Sequence, residues 1–391
     1  MTAIDQQHRH RTRSRAAVFS LFGGFGLVIA TWAAHLPAIK AATGASASMV
    51  GLLLLMLGGG ALLGMQLSGV LVDRVGSVPV ALCGVTAMAV ALIGPLAAHS
   101  WALAAIGAVA LGTATGVAEV GINAVAVDVE REYRRSIMAT FHAVYSVGNV
   151  CGAGIAVAGF ALGTRTVTTA VFVSAIALIL VGNAAVLLRH RPAHDIDTVD
   201  GERTDTSTER PAQRGRIVVL CMLAFILMLA EGAGMDWSSL HAQDHLQAGP
   251  ADGALALGSF VSAMTVGRFS ADHVVERIGA VSVVRWGSLA AIVGLTIVMT
   301  SPVLALTCVG WALLGLGLSG GMPLAVSAAG NLEGVSGKAL SRVVGCGYLA
   351  VLAGPGVIGW LADHISLNGA LLLPAIALTL CAFAAGAVTR K

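Results

Sequence analysis

Charge is scarce in this chain. Only 11% of its 391 residues are Asp, Glu, Lys or Arg, while 57% are hydrophobic. A soluble fold with that balance could not cover its surface with polar groups, so the composition excludes one. Familiar catalytic and metal-ligand patterns are missing too: there is no His-Glu-x-x-His, no Gly-x-Ser-x-Gly and no Cys/His cluster. All six cysteines (Cys83, Cys151, Cys221, Cys308, Cys346 and Cys381) fall in apolar runs, where a thiol packs as a small hydrophobe and builds no disulfide framework. Long polar stretches are absent but for one, and that one is too short and too polar to fold into a sensor domain. These absences point away from an enzyme, a cofactor or a metal site.

What the chain does contain is a series of apolar runs, each long enough to cross a bilayer. There are twelve, at about 16–38, 49–72, 78–98, 101–128, 137–162, 167–188, 217–239, 253–271, 281–300, 302–330, 339–361 and 368–388. The expectation is an all-α membrane protein, and its basic residues give the orientation. With both termini in the cytoplasm, 21 of the 23 Lys and Arg lie on that side, and only Lys40 and Arg165 lie outside. The basic tail, residues 1–15 with "HRHRTRSR", then sits beside anionic lipid and calls for no nucleic-acid partner. A bacterial cytoplasmic membrane is the expected location.

The one polar break is 189–216, "RHRPAHDIDTVDGERTDTSTERPAQRGR", with six acidic and six Arg residues. It cannot build a core and reads as a flexible cytoplasmic linker between bundles at 16–188 and 217–388. The two bundles resemble each other. "GMQLSGVLVDRVGSVPVALCG" (64–84) aligns without gaps on "GRFSADHVVERIGAVSVVRWG" (267–287), matching Gly64, Arg74, Gly76 and Gly84 to Gly267, Arg277, Gly279 and Gly287. The same offset of 203 carries Leu111-Gly112 onto Leu314-Gly315 and Glu130 onto Glu333, and an offset of 205 carries Trp32 onto Trp237 and Gly44 onto Gly249. Duplication of a six-helix unit organises many secondary transporters.

The loop after the second run reads Gly69-Val70-Leu71-Val72-Asp73-Arg74-Val75-Gly76, with a degenerate copy ending in Glu276, Arg277 and Gly279. That Gly-x-Leu-x-Asp-Arg-x-Gly element, within six plus six helices, resembles the major facilitator superfamily over roughly residues 16–388. The match departs at Ser77, Val78 and Pro79, where more basic residues commonly follow. The resemblance implies a major facilitator fold working by alternating access, and the expected functional unit is a monomer. In physical terms, Gly69 and Gly76 permit close backbone approach and a tight turn. Asp73 can accept from a neighbouring helix N-terminus or pair with a base such as Arg131, latching the cytoplasmic faces until the carrier switches. The plainer reading is that these contacts only fix topology and packing.

Polar residues inside the apolar runs are the remaining signal. A charged side chain at a helix centre costs about 2.5–3.5 kcal/mol on insertion scales, so an acid there asks for a reason. In the fourth run, Gly112, Gly116, Glu119, Asn123 and Ala126 recur on one small, polar face, which presents Glu119 and Asn123 to a cavity or another helix. In the fifth, His142, Tyr145, Asn149 and Gly152 form a stripe with Ser146 beside it; His142 is a packing group or a ligand, and Asn149 and Asn183 read as glue between helices. In the seventh, Glu231 and Asp236 point about 140° apart, so one of them lines a given surface. Asp236 with Trp237 is an interfacial anchor or a solute contact. Trp32 and His35 lie near the outer end of the first run. Asp128, Glu130 and Glu132 beside Arg131, Arg134 and Arg135 read as solvated pairs.

Within the superfamily, Glu119-x-x-x-Asn123 and "ATFHAVYSVG" resemble the fucose-permease branch of sugar–proton symporters. The resemblance implies that Glu119, Asn123 and His142 contact solute hydroxyls. One departure stands out: fucose permease itself has an aspartate four residues before the proline of a helix 1 Leu-Pro pair, where this chain has Ala33. Either another group carries the proton, His35 and the acids of the seventh run being candidates, or coupling differs. The expected function is a secondary transporter of a small polar, sugar-like solute driven by protons. The alternative is an efflux pump for drugs or metabolites. Against it, the fourth run has no early arginine, and the fifth reads Gly152-Ala153-Gly154 where efflux branches carry a Gly-Pro element.

Overall fold

A computed structural model describes residues 3–133, 137–189, 211–330 and 337–389. Among them every regular element is helical. The first seven are α1 (Ala3–Thr43), α2 (Ala47–Val75), α3 (Ser77–Ala91), α4 (Ile93–Leu96), α5 (Trp101–Tyr133), α6 (Met138–Ala161) and α7 (Thr166–Leu188). After them come α8 (Pro211–Leu246), α9 (Pro250–Ile278), α10 (Ala280–Thr300), α11 (Leu304–Leu318), α12 (Gly321–Gly330), α13 (Gly337–Ile365), α14 (Leu367–Ala370) and α15 (Leu372–Ala384). A final 3₁₀ turn covers Ala385–Val388. These form 12 spans long and apolar enough to cross a membrane, at the twelve places the apolar runs predict.

Helix boundaries follow from local chemistry. α2 ends and α3 begins at Gly76, whose φ of +87° only glycine adopts freely; α9 and α10 meet at Gly279 with φ +81°. The two glycines are 203 residues apart, so the repeat in sequence is a repeat in backbone. The same holds for close helix contacts. A Cβ added at Gly112 would strike the Leu57 carbonyl of α2, and one added at Gly315 the Phe260 carbonyl of α9, both pairs again related by 203. At the outer turns the match shifts: Gly44 has φ +65°, but its conformational counterpart is Gln247 at φ +54°, not Gly249. An offset of 203 therefore holds there too, and Gly249 caps α9 instead.

The chain divides into two compact units, Met1–Ser46 with Leu53–Ile196, and Ala47–Leu52 with Asp197–Lys391. In the first, α1 packs on α6 and α7, and α3 on α5. Phe22 stacks on Phe141 with centroids 5.9 Å apart. In the second, α8 packs on α13 and α9, and α10 on α11 and α15, around Trp237, Trp311 and Phe260. Large apolar side chains such as Ile106, Ile179 and Phe383 point outward, as hydrocarbon surroundings require.

Three boundaries differ from expectation. The basic tail is helical from Ala3 onward, because nothing in 3–15 breaks a helix. The end of the linker is helical from Pro211, with Pro in the first turn where its missing N–H is no loss. Arg216 there donates to the Ala387 carbonyl at 2.9 Å and to the Thr389 carbonyl, closing the last turn of the chain. Residues 190–210 of the linker, and Glu333, lie outside the described residues. Thirdly, the first turn of α2 belongs to the second unit: the Asp363 carboxylate accepts from the Ala47 and Ser48 amides at 2.9 and 3.1 Å, and Ser48 Oγ donates to the Gly359 carbonyl at 3.3 Å.

Candidate functional site

In the first unit the small face of α5 is a packing face through its first turns. A Cβ at Gly112 or Gly116 would meet the Leu57 or Ala61 carbonyl of α2. Glu119 and Asn123 continue that face and are half-buried. Asn123 Nδ2 donates to the Glu119 backbone carbonyl at 2.8 Å, so its amide is engaged on its own helix.

The α6 stripe is also shared with packing, since Gly148 and Gly152 lie against the Gly23 and Leu27 carbonyls of α1. His142 is exposed and edge-on to Phe22 at 5.2 Å, while Tyr145 lies 5.7 Å from Phe25. Asn149 is buried, and its Oδ1 has no partner among the described residues, so that oxygen is not glue between helices. Asn183 does serve as glue, donating to Ser20 Oγ at 2.9 Å. Trp32 and His35 are buried inside the unit. His35 donates from Nδ1 to the Thr31 carbonyl at 2.7 Å, which fixes its tautomer, and its ring lies 4.7 Å from Phe160.

The second unit holds the stronger electrostatics. Glu231 Oε1 accepts from Arg268 at 2.7 Å, joining α8 to α9. Arg268 sits inside the span Pro250–Ala271, three residues before its end, as the apolar run 253–271 has it. Asp236, one and a half turns beyond Glu231, is half-buried on a stripe with Met222, Phe225 and Gly232. It has no hydrogen bond or ion pair among the described residues. The separation of the two acids around α8 is therefore real, and they have different surroundings. Trp237 is fully buried with Gly359 of α13 against it, which rules out the interfacial anchor.

Further along α8 is a relay that the residue pattern gave no sign of. His241 is buried, pairs through Nε2 with Asn368 Oδ1 at 3.0 Å, and Asn368 Nδ2 donates to the Met299 carbonyl at 2.9 Å. Trp311 closes edge-on over His241 at 5.7 Å. Arg268 was findable: it stands nine residues before Arg277, within the last turn of the apolar run 253–271. His241 was not, because its importance comes from α11 and α14, which are remote in sequence.

The predicted loop latch is only partly present. Gly76 makes the tight turn, and so does Gly279, but a Cβ added at Gly69 would meet no other element within 4 Å among the described residues. Asp73, Arg74, Glu276 and Arg277 are exposed, and Asp73 does not pair with Arg131. Arg131 instead lies 4.0 Å from Asp128, which also accepts from Ser77 Oγ at 3.0 Å. Glu130 is not a solvated pair: its Oε2 accepts from the Ile137 and Met138 amides at 2.8 and 2.6 Å, satisfying donors that the start of α6 leaves open. Arg134 and Arg135 lie outside the described residues. Among the described residues no group of three His, Cys, Asp or Glu could hold a metal.

Comparison with known proteins agrees with this architecture. A family model described as Major Facilitator Superfamily matches residues 16–273 and 220–391. An uncharacterized MFS-type transporter of Yersinia pestis is 32% identical over 368 residues, covering 93% of each chain. The crystal structure of the nucleoside transporter NupG superposes with a TM-score of 0.73 at 15% identity, covering 98% of this chain and 99% of its own. That of a D-xylose–proton symporter gives 0.72 at 16% identity, covering 95% and 96%. At such identities the two structures speak for the fold.

Proposed function

The chain belongs to the major facilitator superfamily and is an integral multi-pass membrane transporter, and from that premise we propose that it carries a small polar, sugar-like solute together with a proton. The observation that carries the proposal is Asp236. A carboxyl inside an apolar span, half-buried and with no counter-charge among the described residues, has no role in holding the helices together. It is a group that can take and give up a proton as its surroundings change. It also offers what the missing acid at Ala33 leaves wanting. Glu119, half-buried on α5, is a second carboxyl within a span, and the two belong to different units. His142 and Tyr145 on α6 offer donors and stacking surface to a hydroxylated solute, whereas Trp32, His35 and Trp237 act in packing.

The mechanism is alternating access, in which protonation and solute occupancy favour the same conformation and so reinforce one another. The fold of a D-xylose–proton symporter supports the sugar and proton assignments by likeness alone. The test is uptake of labelled sugars and polyols into proteoliposomes after a pH jump, with wild type, Glu119→Gln and Asp236→Asn. Wild type accumulates solute down an inward proton gradient. The variant that has lost the coupling carboxyl keeps counterflow exchange and loses accumulation. Equal accumulation by all three proteins would remove both carboxyls from coupling. Dye extrusion without sugar uptake would instead establish an efflux pump.

A further inference from the structure

We infer that Cys221 and Cys346 form a two-thiol site for a soft monovalent cation of the Cu(I) or Ag(I) type, joining α8 to α13 near the beginnings of their spans. Nothing in such a site depends on which solute the protein carries. Both cysteines are free and half-buried. Cys221 lies about 12 Å into the span Gln213–Leu246 and Cys346 about 6 Å into the span Arg342–Ile365, at 1.5 Å per residue. α8 and α13 pack closely at that level. A Cβ added at Gly347 would lie 3.8 Å from the Ala224 carbonyl and 3.1 Å from Met228 Cγ. Cys221, Ala224 and Met228 recur on one face of α8, and Cys346 stands beside Gly347 on α13. The two thiols meet between the helices, within hydrogen-bonding reach of each other.

The donors decide what the site can take. Thiolates select soft metals. Met322, whose Cε would lie 3.0 Å from the same added Cβ, joins Met228 in lining the neighbouring turn with thioethers. Hard donors are missing from these turns. α8 has no Asp, Glu or His before Glu231, ten residues past Cys221; α13 has none before Asp363, and α12 has none at all. With no group of three His, Cys, Asp or Glu among the described residues, the four ligands of a structural zinc and the oxygen shell of calcium or magnesium are not on offer. Cu(I) or Ag(I), with a filled d shell, is satisfied by two sulfurs in a line. Binding breaks two S–H bonds, forms two S–metal bonds and releases two protons, with no change of oxidation state. The resulting bis-thiolate complex carries one negative charge. Arg342 answers it: the guanidinium is near enough for its charge to act on Cys221, and four residues before Cys346 it shares a face of α13 with that thiol.

The test uses purified, reduced full-length protein carrying Cys83→Ala, Cys151→Ala, Cys308→Ala and Cys381→Ala, so that the pair is left. Ag(I) is the probe and Zn(II) its harder counterpart. The protein is dialysed to equilibrium against excess glutathione, and the retained metal is counted by mass spectrometry. One Ag(I) per protein is expected, with no Zn(II). Adding Cys221→Ser or Cys346→Ser should weaken retention at least about tenfold, because the second sulfur of a pair binds within one molecule and a lone thiol does not have it. Two Ag(I) per protein, with each serine variant keeping one, would show two separate thiols and overturn the site. So would retention that neither serine changes, Zn(II) held as firmly as Ag(I), or no retention at all. Should these variants not fold, wild-type protein gives the answer: Ag(I) must protect Cys221 and Cys346 together from a maleimide, read by peptide mass. Protection of one alone, or of neither, would overturn the site.

Discussion

Two carboxyls five residues apart on α8 meet opposite fates, and the difference is measurable as stability. Glu231 has a guanidinium at 2.7 Å, so removing either partner breaks an ion pair made inside the span. Glu231→Leu or Arg268→Leu is expected to cost about 1–3 kcal/mol, the lower end reflecting the surface both side chains retain. Asp236 has no such partner among the described residues, so Asp236→Leu is expected to be neutral or stabilising. Thermal unfolding of the purified variants in detergent checks this. A loss at Asp236 as large as that at Glu231 would show that Asp236 is structural. A gain in stability with a loss of transport is the signature of a group retained for function. The same contrast explains what could be read in advance at this scale. That Glu231 and Asp236 differ follows from their angle around a helix, which is a property of spacing. Which of them finds an arginine depends on the helix opposite, which spacing does not contain.

At the scale of elements, the spans were legible because length, apolarity and glycine breaks are local properties. Gly76 and Gly279 announce their turns in the sequence and make them in the fold. The caps were not legible, because a helix end is often satisfied from far away. Glu130 closes the start of α6 from the end of α5, and Asp363 closes the start of α2 from the end of α13. Two backbone N–H groups and the positive end of the α2 dipole converge on that one carboxylate. Asp363→Ala is expected to destabilise the first turn of α2 by about 1 kcal/mol, with Asp363→Asn recovering part of it. Hydrogen exchange within Ala47–Leu52 is the readout, and it should quicken in the alanine variant while α5 and α6 are unmoved. Unchanged exchange would mean that Gly51 packed on Pro355 and Gly359 holds the turn without the cap.

For the whole molecule, the repeat constrains orientation in a way that neither unit does alone. Six crossings are an even number, so a duplicated unit re-enters the membrane in the sense in which the first began. Positions 203 residues apart must then face the same side. Ser77 and Ala280 each follow the glycine turn of their unit, while Thr164 and Ala248 lie in turns between spans. The distribution of Lys and Arg predicts that the first two face inside and the other two outside. In a protein whose six cysteines have been replaced, a single cysteine at Thr164 or Ala248 should react with an impermeant maleimide on intact cells. One at Ser77 or Ala280 should react only after permeabilisation. The reverse result at all four would invert the orientation and keep the repeat. Opposite behaviour of Ser77 and Ala280 would break the repeat itself, because no even number of crossings can put them on different sides.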